Sequence, residues 1–315
     1  FFKLQEAELV KNPKLLVFNE ELAKEVDFKR LLSKNDDLAN ILCGNKLING
    51  SKPLAMAYCG HQFGHFSPQL GDGRALLLGE VEVEDSLLDL VLKGSGRTYF
   101  SRGGDGKCPL FSAVKEYVFS EFLYYLGVTT TRCLSIVKGD EFAFRQNGPE
   151  PSAVISRIAQ SHIRIGTFQY FASQGDLENV KKLANYAINR HYPDCENYKD
   201  PYFEFFKSVA TRQIDLVASW LSFGFIHGVM NSDNILICGQ TIDFGPCAFM
   251  EKFNPGQFFS AIDRNGRYAF DQQKNIILWN LTRFAESILP LICDGDVEKT
   301  IPLIEEELAK FDWWA

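Results

Sequence analysis

The sequence predicts an α+β protein in two lobes, a strand-rich N-lobe followed by a helical C-lobe. Two observations predict it. Between residues 75 and 159 the apolar residues fall in short runs bounded by glycine, while beyond about residue 166 they recur at helical spacing. With 315 residues, 46% of them apolar and 23% charged, the chain is long enough for two lobes with ample core, and a cleft between them is expected to hold the chemistry.

Taken in order, residues 1–43 read as an N-terminal extension: a polar lead, then a helix over "NEELAKEVDFKRLLSK". Residues 44–165 read as the N-lobe. Its first part, 44–74, is rich in Gly, His, Pro and Gln and reads as loop. Strands are expected at Ala75–Glu82 and Leu87–Lys93, joined by an acidic turn, and further strands in "RCLSIVKGDEFAFRQ" and "SAVISRIA". The stretch "SAVKEYVFSEFLYYLG" is an amphipathic helix that stops at Gly127. Residues 166–315 read as the C-lobe, with helices over 176–190, 201–223 and 272–289 and short strands around 235–242.

The formal charge of −7, with no basic tail or block, speaks against nucleic acid as a partner. No apolar run reaches the roughly 18 residues of a membrane span, so no membrane partner is expected. No signal peptide is read, although the chain begins Phe1-Phe2 without Met. The eight cysteines form no CxxC pair and mostly sit beside apolar residues, which favours buried free thiols in a reducing compartment over a zinc site.

The chemistry concentrates in a few motifs. In "HGVMNSDNILICGQTIDFGP" an Asn, Asn234, is followed nine residues on by Asp243 of an Asp-Phe-Gly. Protein kinases place two metal ligands in that order, and two oxygen donors of this kind suit Mg²⁺ or Mn²⁺. The alternative is a surface turn capped by Asp243. Where a kinase carries His-Arg-Asp, this chain has His227-Gly228-Val229, so the usual catalytic base is replaced by valine. Lys93 ends a strand ahead of Gly94-Ser95-Gly96, the position of a phosphate-binding lysine. Glu116 on the next helix is its preferred partner over Glu121.

Gly71-Asp72-Gly73-Arg74 is a tight turn whose backbone could approach a phosphate or ribose. "SRGGDGK", with Asp105 and Gly106, is either a flexible surface loop or an anion-binding one. His61 and His65 stand four apart without a ligand partner at metal spacing and are read as structural. Arg157 and Arg164 stand seven apart; if that piece is helical, both guanidinium groups share a face suited to a triphosphate.

Together "YCGHQFGHFSPQLGDGRALLLGE", "LKGSGRTYFSRGGDGK", "HGVMNSDN", "TIDFGPCAFM" and "GRYAFDQQKNIILWNLTRFAESILPLI" resemble the selenoprotein O family, also called the YdiU-type protein adenylyltransferases. The resemblance runs from about residue 14 to 292. It implies a protein kinase-like fold without the usual catalytic Asp, ATP bound in a flipped orientation, and transfer of AMP to Ser, Thr or Tyr hydroxyls of proteins. Carried over by residue, it implies Asp233 as proton acceptor and Asn234 and Asp243 as metal ligands. It implies Gly71, Gly73, Arg74, Lys93, Asp105, Gly106, Arg157 and Arg164 as ATP contacts, and Glu116 as the partner of the lysine.

This chain closes at "FDWWA", before the family's C-terminal region, and has Phe244 where many relatives have Tyr. Competing readings are UMP transfer from UTP with Mn²⁺, a kinase using Asp233 as a displaced base, and a non-catalytic nucleotide-binding scaffold. Family members occur in bacterial cytoplasm and in mitochondria, and the expectation is one of these rather than secretion.

Overall fold

The computed structural model describes residues 1–33, 36–84 and 86–311. The expected acidic turn at Asp85, the end of the expected first helix at Lys34 and the closing residues 312–315 lie outside the described residues. In chain order the structure runs β1 (Phe2–Leu4), β2 (Lys14–Phe18), α1 (Glu20–Glu25), α2 (Leu38–Leu42), β3 (Leu54–Met56), β4 (Gly60–Gln62), β5 (His65–Ser67), β6 (Ala75–Val83), β7 (Ser86–Lys93), β8 (Cys108–Pro109), α3 (Leu110–Tyr125), β9 (Arg132–Arg145) and β10 (Gly148–Ala159). It continues with α4 (Ile165–Ala172), α5 (Leu177–His191), α6 (Pro201–Ser222), β11 (Phe225–Ile226), β12 (Ala248–Phe249), α7 (Gln273–Ile288) and α8 (Val297–Ala309). The chain divides into two compact units, Phe1–Ala57 with Gln69–His162, and Tyr58–Pro68 with Ile163–Ala315.

The first unit is built on an antiparallel sheet in the order β1-β3-β6-β7-β10-β9-β2, with β8 paired to β10. Strands β6 and β7 form a hairpin with Ala75 opposite Lys93, and β10 lies on the other side of β7 with Ile155 opposite Lys93. Helix α3 packs on this sheet. Its Ala113 joins Cys108, Cys133, Ile136, Ala153 and Ile155 in a buried apolar cluster. The helix ends where Gly127 adopts φ +79°, a left-handed C-terminal stop that glycine takes without a Cβ penalty.

The lead segment is not an appendage. β1 pairs with β3, and β2 pairs with β9, so residues read as an extension supply two strands of the sheet. The long helix expected over residues 19–34 is instead a short α1, capped by the Asn19 side chain on Leu22 N. It stops where Asp27 turns left-handed (φ 44°) into a 3₁₀ turn over Phe28–Leu31. Strand pairing on one side and the left-handed residue on the other leave room for less than two turns of helix.

The second unit is helical, with a two-stranded hairpin of β4 and β5 packed into it. Its core gathers Phe168, Phe205, Phe206 and Phe284, all fully buried, with edge-on and stacked ring contacts. Among the described residues the strands expected around 235–242 are absent: the segment holds single bridge positions, at Leu236 opposite Arg164 and at Thr241. Helices α4 and α8 were not foreseen, the first because six of its eight residues are buried and no polar face marks its period. By length and composition Phe270–Gly295 would suffice to cross a membrane, a property the run-counting above missed. More than half of it is buried, and non-helical angles at Ile292–Asp294 break it, as in a core helix of a globular unit.

Candidate functional site

The two units each carry a charged centre. In the strand-rich unit Lys93 closes β7, and Arg157 lies on β10 two residues from the Ile155 that faces it. The period of two puts Lys93 and Arg157 on one face of the sheet. Both meet Glu116 of α3. Lys93 Nζ lies 2.6 Å from Glu116 Oε2, and Arg157 Nη2 lies 3.4 Å from Oε1. All three residues are buried. Arg157 Nε and Nη1 have no hydrogen-bond partner among the described residues, so this guanidinium retains donors for an anion.

The glycine-rich loops of the same unit fold against one another. Gly106 has φ +67°, and a Cβ there would fall 2.0 Å from Gly96 O, which fixes glycine at the point where the two loops cross. Gly71 and Gly73 abut Phe100, whose ring would lie 2.4 Å from a Cβ on Gly71. These glycines are demanded by protein-on-protein packing within the unit. Asp105 is likewise occupied: Oδ2 accepts from Arg145 Nη1 at 2.7 Å and Phe144 N at 3.2 Å, and Oδ1 accepts from Lys107 N at 3.0 Å. These bonds hold its carboxyl below the ordinary Asp range even against burial, which pushes the other way. Arg74 is exposed, and its carbonyl accepts from Gly94 N.

In the helical unit a 3₁₀ turn over Ser232–Asn234 carries the second centre. The Ser232 hydroxyl donates to Gln169 Oε1 and accepts from His61 N at 2.8 Å. Gln169 Nε2 in turn meets His61 Nδ1 at 2.9 Å. This ties the β4–β5 hairpin to the turn, and the next hairpin residue, Gln62, donates from Nε2 to Asp233 Oδ2 at 3.1 Å. Asp233 Oδ1 is buried and has no hydrogen-bond partner among the described residues. Burial pushes its carboxyl up to about 6, against the nearby Arg164 guanidinium and the Gln62 hydrogen bond, which lower it. Gly60 gives this carboxylate room, since a Cβ there would lie 2.6 Å from Oδ1.

Arg164 stacks over Tyr58 at 4.6 Å, donates to the Asp233 carbonyl and lies 3.4 Å from Asp243 Oδ2. It precedes α4, whereas Arg157 sits in a strand of the other unit, so the shared helix face expected for the two arginines does not exist. Asp243 has φ +64°, a left-handed conformation that Asp tolerates better than most residues. Asn234 donates from Nδ2 to Val229 O at 2.9 Å, which leaves its Oδ1 as an acceptor. Asn234 and Asp243 thus supply an all-oxygen donor pair. It fits Mg²⁺ or Mn²⁺, which keep several waters. Among the described residues no group of three or more His, Cys, Asp or Glu gathers as a metal cage, and all eight cysteines are free.

A sequence profile for the family described as "Protein adenylyltransferase SelO" matches residues 1–313. This chain belongs to that family. A relative from Cereibacter sphaeroides named protein nucleotidyltransferase YdiU is 54% identical over 240 residues, 76% of this chain and 50% of its own. One of the same name from Nitrobacter hamburgensis is 53% identical over 252 residues, 80% of this chain and 50% of its own. A third, from Clostridium perfringens, is 47% identical over 312 residues, 99% of this chain and 63% of its own. The SelO-family chain therefore spans about half to two-thirds of the length of these relatives.

Three residues around Asp233 escaped the sequence reading: Gly60, Gln62 and Gln169. Gln62 stands 171 residues from the acid it touches, and no local pattern announces such a contact. The only signal was the unusual "GHQFGH" itself, which was read for its histidines. His61 serves as a hydrogen-bond link to Gln169, in keeping with the structural role expected of it.

Proposed function

We propose that this chain carries the machinery for transferring AMP from ATP to Ser, Thr or Tyr hydroxyls of other proteins, with release of pyrophosphate. The observation that carries the reading is Asp233: a buried carboxylate with one oxygen held by Gln62 and the other, Oδ1, without a hydrogen-bond partner among the described residues. A base raised to about 6 ionises near neutrality and still accepts a proton well. In the reaction the acceptor oxygen bonds to the α-phosphorus and its proton passes to Asp233. The bond from the α-phosphorus to the bridging oxygen breaks, and that electron pair leaves with pyrophosphate.

Asn234 and Asp243 would hold Mg²⁺ or Mn²⁺, which when bound neutralises phosphate charge. Arg164 would keep Asp243 and the Asp233 turn in register. In the strand-rich unit Lys93, Arg157 and the exposed Arg74 would bind phosphate oxygens, while Glu116 positions the two buried cations. Gly71, Gly73, Asp105 and Gly106 would act by shaping the loops that present backbone amides. In this reading the two units correspond to the lobes of a protein kinase-like fold in which Val229 has replaced the usual base.

The test is parallel incubation of the purified chain and an acceptor protein with α-³²P-ATP or γ-³²P-ATP. Label on the acceptor from the α position alone, lost in Asp243→Ala, is the expected result. Label from the γ position would overturn the proposal.

A further inference from the structure

We propose that Arg267, Trp279 and Arg283 form a subsite for an acidic side chain of the acceptor protein, near the hydroxyl to be modified. The proposal rests on the AMP-transfer reading above and adds the class of acceptor sequence.

The hairpin residue that holds Asp233, Gln62, is followed by Phe63 and Gly64 at the tip and preceded by His61. His61 packs edge-on to Trp279, with ring centroids 5.1 Å apart, and lies 5.0 Å from Phe66. Trp279 is flanked by two cations: Arg267 lies 4.9 Å from its ring centroid and Arg283 lies 5.3 Å from it. A Cβ on Gly64 would stand 3.6 Å from the Arg267 guanidinium carbon. Two arginines on one indole therefore pack against the same short hairpin that carries the side chain touching Asp233.

Among the described residues no buried carboxylate pairs with either guanidinium. Arg267 makes no ion pair among the described residues. The nearby buried Asp263 is committed to backbone amides, accepting from Arg267 N at 2.9 Å and Tyr268 N at 2.8 Å. Arg283 pairs with Glu286 on its own helix at 2.7 Å, but that glutamate is 53% exposed, and a surface pair of this kind is weak and exchangeable. Both Nε atoms are buried without hydrogen-bond partners among the described residues. The local field is positive enough that Arg283 and Arg267 add to burial in lowering the His61 pKa.

A guanidinium lying against an indole keeps its in-plane N–H edge for a carboxylate and is already partly desolvated, which strengthens such a bond. In a chain of net charge −7, a local patch of this sign selects rather than attracts at random. Phe66, 41% exposed on the same hairpin, offers an apolar wall beside it.

The experiment measures fluorescence anisotropy of labelled short serine peptides that differ only in flanking Glu, Gln or Lys. It uses the full chain and the double variant Arg267→Gln/Arg283→Gln. The Glu peptide is expected to bind about tenfold tighter than the Gln peptide, the scale of a charge-assisted hydrogen bond. The double variant should lose that preference while keeping its affinity for ATP. A single Arg267→Lys variant, which keeps charge and bulk but not the planar fork, should lose part of it and guards against a misfolded double variant.

No Glu preference in the unaltered protein, or a preference that survives the double variant, overturns the proposal. So does a loss of ATP affinity in the double variant, since the arginines would then serve the nucleotide. AMP transfer from α-³²P-ATP is read in parallel. A Glu preference without any transfer refutes the activity and upholds the subsite; transfer without the preference refutes the subsite alone.

Discussion

In the strand-rich unit Glu116 is met by two cations, Lys93 at 2.6 Å and Arg157 at 3.4 Å, all three out of water. In the helical unit Asp233 is equally buried, yet among the described residues Gln62 is the side chain that hydrogen-bonds its carboxylate, and Oδ1 has no hydrogen-bond partner. The first acid is paired with opposite charge. The second is pushed toward neutrality by burial. A paired acid serves to position its partners, because its charge is spent on them. An acid with an unpartnered oxygen is ready to take up a proton, and the fold tolerates the cost because Arg164 stands close by.

The comparison predicts opposite couplings of activity and stability. Asp233→Asn is expected to lower AMP transfer by about 10²–10⁴-fold, the usual worth of a general base, while the melting temperature holds or rises. Lys93→Met should cost about 3–5 kcal/mol of stability, because it leaves Glu116 buried with only the longer Arg157 contact, and should weaken ATP binding as well. Thermal melts and α-label assays on the two variants check both arms. A large loss of stability in Asp233→Asn would show that this acid is structural and would collapse the contrast.

How much of this was legible follows from the range of each interaction. The β6–β7 hairpin and helix α3 were readable because period-two and period-3.6 patterns are local, and Lys93 with Glu116 followed from their places on those elements. The pairing of β2 with β9 joins residues more than a hundred apart and left the lead segment unread. Asp233, Asn234 and Asp243 were legible as a motif, but the Gln62 and Gly60 that frame Asp233 come from a hairpin whose sequence looks like loop. Gly106 was read within a loop that is either a flexible surface loop or an anion-binding one; what the sequence could not show is that it packs against another stretch of backbone, at Gly96.

That reading of the glycine loops yields a sharper test within the strand-rich unit. Gly106→Ala meets Gly96 O at 2.0 Å with φ +67°, so strain and overpacking together should cost about 2–3 kcal/mol. Gly103→Ala, in the same loop at φ +83° but with nothing within 4 Å, carries only the left-handed penalty and should cost about 1 kcal/mol. Urea titration of both variants measures the difference. Equal losses would mean that the loops are not in contact in solution.

The smallest effect lies in the helical unit, in the link between the Asp-Phe-Gly segment and the turn before Asn234. His227 is fully buried and stacked on Trp220 at 5.2 Å. Its Nε2 faces Ile242 O at 2.7 Å, and Nδ1 accepts from Val229 N at 3.3 Å, which assigns the proton to Nε2 of a neutral ring. Burial lowers its pKa and outweighs the Ile242 carbonyl and the nearby Asp243 charge, which both raise it. The unfolded chain therefore binds a proton that the folded chain refuses. The stability is fully present above the unfolded His value of about 6.5 and declines below it, by at most about 1.4 kcal/mol per pH unit. The comparison is His227→Gln, which keeps a donor and an acceptor but does not titrate. Subtracting its urea-derived stability from that of the unaltered protein at pH 7.5, 6.5 and 5.5 removes every other titrating group. The difference should shrink as pH falls. A difference that stays flat would mean that His227 takes up its proton without cost, and the neutral-ring link would have to be abandoned.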